Sequence, residues 1–211
     1  CALDFVHRVG LQTAEALHCA HAEGGVHGRL TANNLLVSFD DHIKLVAFGL
    51  DLIPEETVYS EPDNGTEGFG LNAAVRPPLS SFAYQAPEQI RGEIASTRSD
   101  LFSLGVVLYE LLAGEFLFEG SDREELYRQI QSRELPKISS IRPGIGVGWT
   151  NVLRGLLEKN PSNRYPSAAA LLADFRKLNE GIKLDRLSFQ SDRPPLSRRS
   201  FFRRFLGEID D

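Results

Sequence analysis

A chain of 211 residues, 42% hydrophobic and 25% charged, can bury a core the size of one domain, which excludes a low-complexity or wholly disordered protein. Its formal net charge of −6 excludes a surface built mainly to neutralise nucleic-acid phosphates. Two cysteines, Cys1 and Cys19, are too few for a disulfide framework or a thiolate metal site, and Cys19 reads as core filler. With no apolar run of membrane-spanning length and no secretory signal at its start, a cytoplasmic location is expected. The chain starts inside a helical pattern and has no methionine, as expected of a piece of a longer polypeptide.

Charge is unevenly spread. Residues 1–182 carry 16 basic and 24 acidic side chains, whereas 183–204 carry 7 basic and 2 acidic ones, so a lobe over 1–182 and a separate basic, aromatic tail over 183–211 are expected.

In chain order, apolar positions at helical spacing from Leu3 to Glu23, ended by Gly24 and Gly25, predict one long amphipathic helix. His7, His18 and His21 lie on it without a further metal ligand nearby, and they read as packed or solvated side chains without chemistry. Leu35–Ser38 and Ile43–Val46 predict two short strands around an Asp-rich turn, where Asp40 and Asp41 read as solvated. The 42 residues from Ala47 to Glu88 form a long acidic connection, of a kind that is usually functional or disordered. Ser99–Ala113 is apolar nearly all round and predicts a central buried helix stopped by Gly114. Helices are also expected over Asp122–Gln131, capped by Ser121, and over Trp149–Glu158 and Ser167–Asn179. The glycines between Pro143 and Gly148 lack the strand and the spacing of a phosphate loop. The expected class is mainly α (α+β), helical with one short β-hairpin.

Four short motifs then fall into one order. His27-Gly28-Arg29-Leu30-Thr31-Ala32-Asn33-Asn34 has the frame H-R-D-L-x-x-x-N, and Ala47-Phe48-Gly49 follows the hairpin where D-F-G would stand. Ala86-Pro87-Glu88 supplies A-P-E, and Ser99-Asp100-Leu101-Phe102-Ser103-Leu104-Gly105 contains a D-x-W-S-x-G-like run. On these residues the chain resembles the C-terminal lobe of a protein kinase, most like the bacterial serine/threonine kinases. The glycine-rich loop, its lysine and the partnering glutamate of an N-terminal lobe have no counterpart in it.

The resemblance implies roles residue by residue. Asp100 would accept hydrogen bonds from the catalytic-loop backbone, and Glu88 would pair with Arg164 of the late Asn160-Pro161-Ser162-Asn163-Arg164 segment. Ser81 and Tyr84 would form the substrate-docking edge, and 47–88 would be the activation segment. The catalytic positions are degenerate: Arg29 stands for the orienting Asp, Ala47 for the metal-binding Asp, Thr31 for a lysine and Gly28 for an arginine, while His27, Asn34, Phe48 and Gly49 are retained. Phosphoryl transfer needs the two lost carboxylates to orient the hydroxyl and hold Mg²⁺. A catalytically inactive pseudokinase lobe, a binding or scaffolding module in signalling with no cofactor and no metal site, is therefore expected. The alternative is a divergent ATP-dependent serine/threonine kinase, using Mg-ATP, whose N-lobe lies upstream and which recruits Asp40 or Asp51.

A protein partner is expected, and nucleic acid is not. In the tail, Arg198, Arg199, Arg203 and Arg204 interleave with Phe201, Phe202 and Phe205, so 189–206 suits either a solvated terminus or an interfacial helix on an anionic membrane or acidic protein surface. Ser197–Phe202 mimics a twin-arginine signal but no apolar stretch follows it. Arg29, a cation in an emptied pocket, is expected either to draw one of Glu55, Glu56, Glu61, Asp63 or Glu67 over the site or to point into solvent with its loop open.

Overall fold

A computed structural model describes residues 3–48, 79–136, 138, 142–182, 184, 187 and 189. Helix α1 (Leu3–Ala22) leads through a 3₁₀ turn (Ala32–Asn34) into strands β1 (Leu35–Val37) and β2 (Ile43–Leu45). After two short helices, α2 (Leu79–Phe82) and α3 (Pro87–Ile90), come α4 (Thr97–Ala113), α5 (Arg123–Ser132), α6 (Val147–Leu156), a second 3₁₀ turn (Pro161–Asn163) and α7 (Ala168–Asn179). The strands pair antiparallel with Leu36 opposite Lys44. A helical lobe with one small hairpin is the architecture.

Helix α4 is its axis. Every residue from Ser99 to Tyr109 is buried, with Leu101, Phe102, Leu104, Val106 and Leu108 fully so. Each such side chain contributes about 1.5–3 kcal/mol relative to exposure. A helix apolar on all sides must be surrounded, and α1 and α6 pack on it while α7 packs on α1. The α4–α6 crossing needs Gly105, where an added Cβ would lie 2.8 Å from the Cβ of Leu156. Helix α4 starts where the Ser99 hydroxyl accepts from the Ser96 amide at 3.0 Å, and it stops at Gly114, whose φ of 75° is left-handed.

The structure corrects several expectations. Helix α5 is capped by Asp122, which accepts from the Glu125 amide at 2.8 Å, rather than by Ser121, whose hydroxyl turns to the Glu125 carboxylate. Helices α4 and α6 each begin two residues before Ser99 and Trp149, and the strands are one residue shorter. Cys19 is exposed, not core. It sits two residues, about 200°, round the helix from buried Leu17, off the packed stripe. Leu184 and Leu187 are buried and the ring of Phe189 lies 4.7 Å from that of Tyr165, although everything from 183 on was assigned to the tail. Leu187 reaches the lobe over Gly155, where an added Cβ would come within 2.4 Å of its Cδ1. Gly49, the acids from Asp51 to Glu67 and the arginine-rich stretch beyond 190 lie outside the described residues. Among those described, no helix is long and apolar enough to cross a membrane.

Candidate functional site

The loop between α1 and β1 is held from below by one carboxylate. Asp100, buried in the first turn of α4, accepts from the His27 amide at 2.9 Å and the Gly28 amide at 2.8 Å, one on each oxygen. The helix N-terminus around it favours that negative charge. A third donor, His21 Nε2 at 2.8 Å, arrives from the last turn of α1, and its Nδ1 is buried without a partner. His21 is thus one of the packed histidines expected on α1, about 40° from Leu17 on its buried stripe. That position was the available signal.

His27 is fully buried, and its hydrogen bonds fix its tautomer. The Arg29 amide donates to Nδ1 at 3.3 Å, so Nε2 carries the proton and donates to the Val46 carbonyl at 2.9 Å, tying the loop to the end of the hairpin. The ring of Phe48 stands 4.7 Å from the His27 ring. Asn34 donates its side-chain amide to the Arg29 carbonyl at 2.8 Å and accepts the Val46 amide on its own carbonyl at 3.0 Å. Gln89 of α3 reaches the Gly28 carbonyl at 2.8 Å. Every strut of the loop is made.

The chemistry at its tip is different. Gly28 has a φ of 76°, which glycine adopts freely, and Ala47 has a φ of 67°, which alanine does not. Ala47 therefore keeps a left-handed backbone turn while presenting a methyl group. Half-buried Arg29 is permanently cationic and donor-only. Thr31 is half-buried in extended backbone ahead of the 3₁₀ turn. Among the described residues, of the donors a Mg²⁺ ion would need, only the Asn34 side-chain oxygen stands on this loop, so these residues do not fit a divalent metal.

At the edge matched to substrate docking, Ser81 lies half-buried on α2 and Tyr84 is buried just beyond it. The Tyr84 hydroxyl donates to Glu110 Oε2 at 2.8 Å, and its carbonyl accepts from Ser103 at 2.7 Å. Burial pushes the Glu110 carboxyl up to about 7 against the opposing pull of that hydrogen bond, and its other oxygen is buried and unpartnered. Burial and Glu110 also raise the Tyr84 phenol above its ordinary range. Glu110 escaped sequence reading; its signal was a lone acid inside an apolar run.

Behind this edge Glu88 and Arg164 meet across 76 residues, two 2.6 Å bonds joining guanidinium to carboxylate, with side-chain exposures of 3% and 0%. Burial alone raises the Glu88 carboxyl, but the hydrogen bonds and charge of Arg164 outweigh it and hold the group below its usual range. Ser99 donates a further bond to Glu88 at 2.8 Å.

Sequence comparisons bear on the same residues. The family model described as "Protein kinase domain" matches residues 4–175. Serine/threonine-protein kinase PknB of Mycobacterium leprae is 32% identical over 169 residues, covering 79% of this chain and 25% of that protein. Serine/threonine-protein kinase PknL of Mycobacterium tuberculosis is 30% identical over 184 residues, covering 87% of this chain and 43% of that protein. A probable serine/threonine-protein kinase of Clostridium perfringens is 28% identical over 173 residues, 82% of this chain and 23% of its own length. The chain thus spans less than half the length of each of these relatives. With the loop braced by Asp100, the Glu88–Arg164 pair and the family match over nearly all the described lobe, this chain belongs to the protein kinase family.

Proposed function

We propose that this chain is a pseudokinase lobe, inactive in phosphoryl transfer, that serves as a protein-binding or scaffolding module in signalling, in the cytoplasm. The observation that carries this reading is the contrast within one loop. Asp100, His27, Asn34 and Gln89 hold the backbone in place, while Arg29 and Ala47 remove both carboxylates on which transfer depends. At about 4 Å and a surface-like dielectric of about 20, replacing an anion by a cation turns about 4 kcal/mol of attraction for a unit positive charge into repulsion. Struts without acids suit a surface for a partner.

The rival reading, a divergent ATP-dependent kinase that borrows another acid, has no specific observation in its favour. Asp40 is engaged by Ser38 and His42 at the hairpin turn, and Asp41 by Arg8 of α1. Asp51 lies outside the described residues. In this reading the catalytic machinery includes neither turn aspartate.

A ligand at a hundred times its dissociation constant stabilises by about 2.7 kcal/mol, so a thermal melt with millimolar Mg²⁺-ATP tests the proposal. The expected result, on this chain and on the protein at its natural full length, is an unchanged midpoint. A rise of several degrees would overturn it.

A further inference from the structure

Residues at the ends of α5 and α6 line an open pocket of about 420 Å³. Its walls include apolar Leu135 and Leu157 and the cations Arg133, Arg154 and Lys159. Glu134 and Glu158 share the lining. Arg133 is anchored through the Leu117 carbonyl at 2.8 Å, and both arginines are exposed.

Lys159 is half-buried. Its Nζ donates to the Ile130 carbonyl at 2.7 Å and lies 4.7 Å from the centroid of the Phe118 ring and 5.8 Å from that of Phe102. Among the described residues no carboxylate forms an ion pair with it, whereas Lys177 pairs with Asp174 at 3.6 Å. Burial, then the guanidiniums of Arg164 and Arg133, push its amine down to about 8, with Glu158 pulling the other way. A lysine desolvated beside other cations is the arrangement that activates this side chain as a nucleophile.

We propose that Lys159 is a modification site whose amine takes an acyl group from an anionic donor of the acyl-phosphate class, drawn into the pocket by Arg133 and Arg154. The Nζ lone pair attacks the acyl carbon and the C–N bond forms. The bond from that carbon to the phosphate oxygen breaks, phosphate leaves with the bonding pair, and the surplus amine proton passes to water. Nothing is oxidised or reduced. The product amide keeps one N–H for the Ile130 carbonyl and loses both the charge that Arg164 and Arg133 repel and the cation–π attraction of the Phe118 and Phe102 rings. Guanidiniums suit the donor because they recognise phosphate oxygens in pairs.

The test is incubation of the full chain with acetyl phosphate at pH 7.5, followed by peptide mass spectrometry. A fall to about 8 raises the neutral amine fraction at that pH by roughly two orders of magnitude. Lower basicity and partial burial take back part of that gain, leaving Lys159 acetylated about tenfold faster than exposed Lys44. Its rate levels off above about pH 8. Arg154→Gln slows Lys159 several-fold with acetyl phosphate but not with the neutral donor p-nitrophenyl acetate. Lys159 reacting no faster than Lys44 would overturn the proposal, as would an equal effect of Arg154→Gln on both donors.

Discussion

Replacing Arg164 by alanine removes a side chain whose five N–H donors are all engaged. Its Nε donates to the Glu158 carbonyl, Nη1 to Glu88 and the Arg98 carbonyl, and Nη2 to Glu88 and the Lys159 carbonyl. What is left is a carboxylate 3% exposed, holding the Ser99 hydroxyl and its own backbone amide. Breaking a buried pair from one side costs about 3–5 kcal/mol, against about 0–1 kcal/mol for a pair in solvent. In a lobe of this size about 2–4 °C of melting temperature accompanies each kcal/mol, so Arg164→Ala should lower the midpoint by roughly 10 °C. Arg164→Lys offers three donors without the planar fork and should recover only part of the loss. Urea denaturation of Glu88→Ala, Arg164→Ala and the Glu88→Ala/Arg164→Ala double variant closes a double-mutant cycle, in which the double variant is less destabilised than the two single losses added together. A loss under 1 kcal/mol for Arg164→Ala would refute the reasoning.

Glu110→Gln should stabilise the protein at pH 8 and not at pH 4. The folded-state carboxyl is raised to about 7, so the ionised form is disfavoured and stability drains away as pH climbs from the ordinary carboxylate range through 7. Allowing for solvent screening of this half-buried group, the gain at pH 8 is about 1 kcal/mol by denaturant midpoint, and a loss there would contradict the assignment. Ala47→Gly should stabilise despite removing a side chain. Left-handed backbone costs a non-glycine residue about 1–2 kcal/mol, whereas the added freedom of glycine in the unfolded chain returns about 0.4–1 kcal/mol of that. A net gain of about 0.5–1 kcal/mol in urea is expected, and destabilisation would mean that the turn is not strained.

The parts of the fold that sequence made visible are those written in periodicity and spacing. Residues 99–113 are apolar nearly all round and become the buried axis, while the pairing of Glu88 with Arg164 was implied by the family resemblance of their two motifs and is met in the interior. Ser121 against Asp122 was not decidable in advance, because both residues cap helices well and only backbone geometry selects between them. Cys19 is the misplaced residue of α1: two positions from His21, it stands on the opposite side of the helix, so His21 packs against Asp100 and Cys19 meets solvent. The strongly basic composition beyond residue 182 hid Leu184, Leu187 and Phe189, three apolar residues whose packing on the lobe depends on space left by Gly155 and on the ring of Tyr165. At the candidate site, the resemblance to kinase motifs pointed to Asp100 and the degenerate loop, but the left-handed turn at Ala47 could not be read from an alanine.

The central claim is that the loop keeps its struts and has lost its chemistry, and transfer of labelled γ-phosphate by the protein at its natural full length tests it most directly. Active kinases turn over at about 1–100 s⁻¹. The account predicts label on neither the protein nor a generic serine/threonine substrate beyond the enzyme-free control, with Mg²⁺ or Mn²⁺ present. Metal-dependent incorporation that Asn34→Ala abolishes would contradict it.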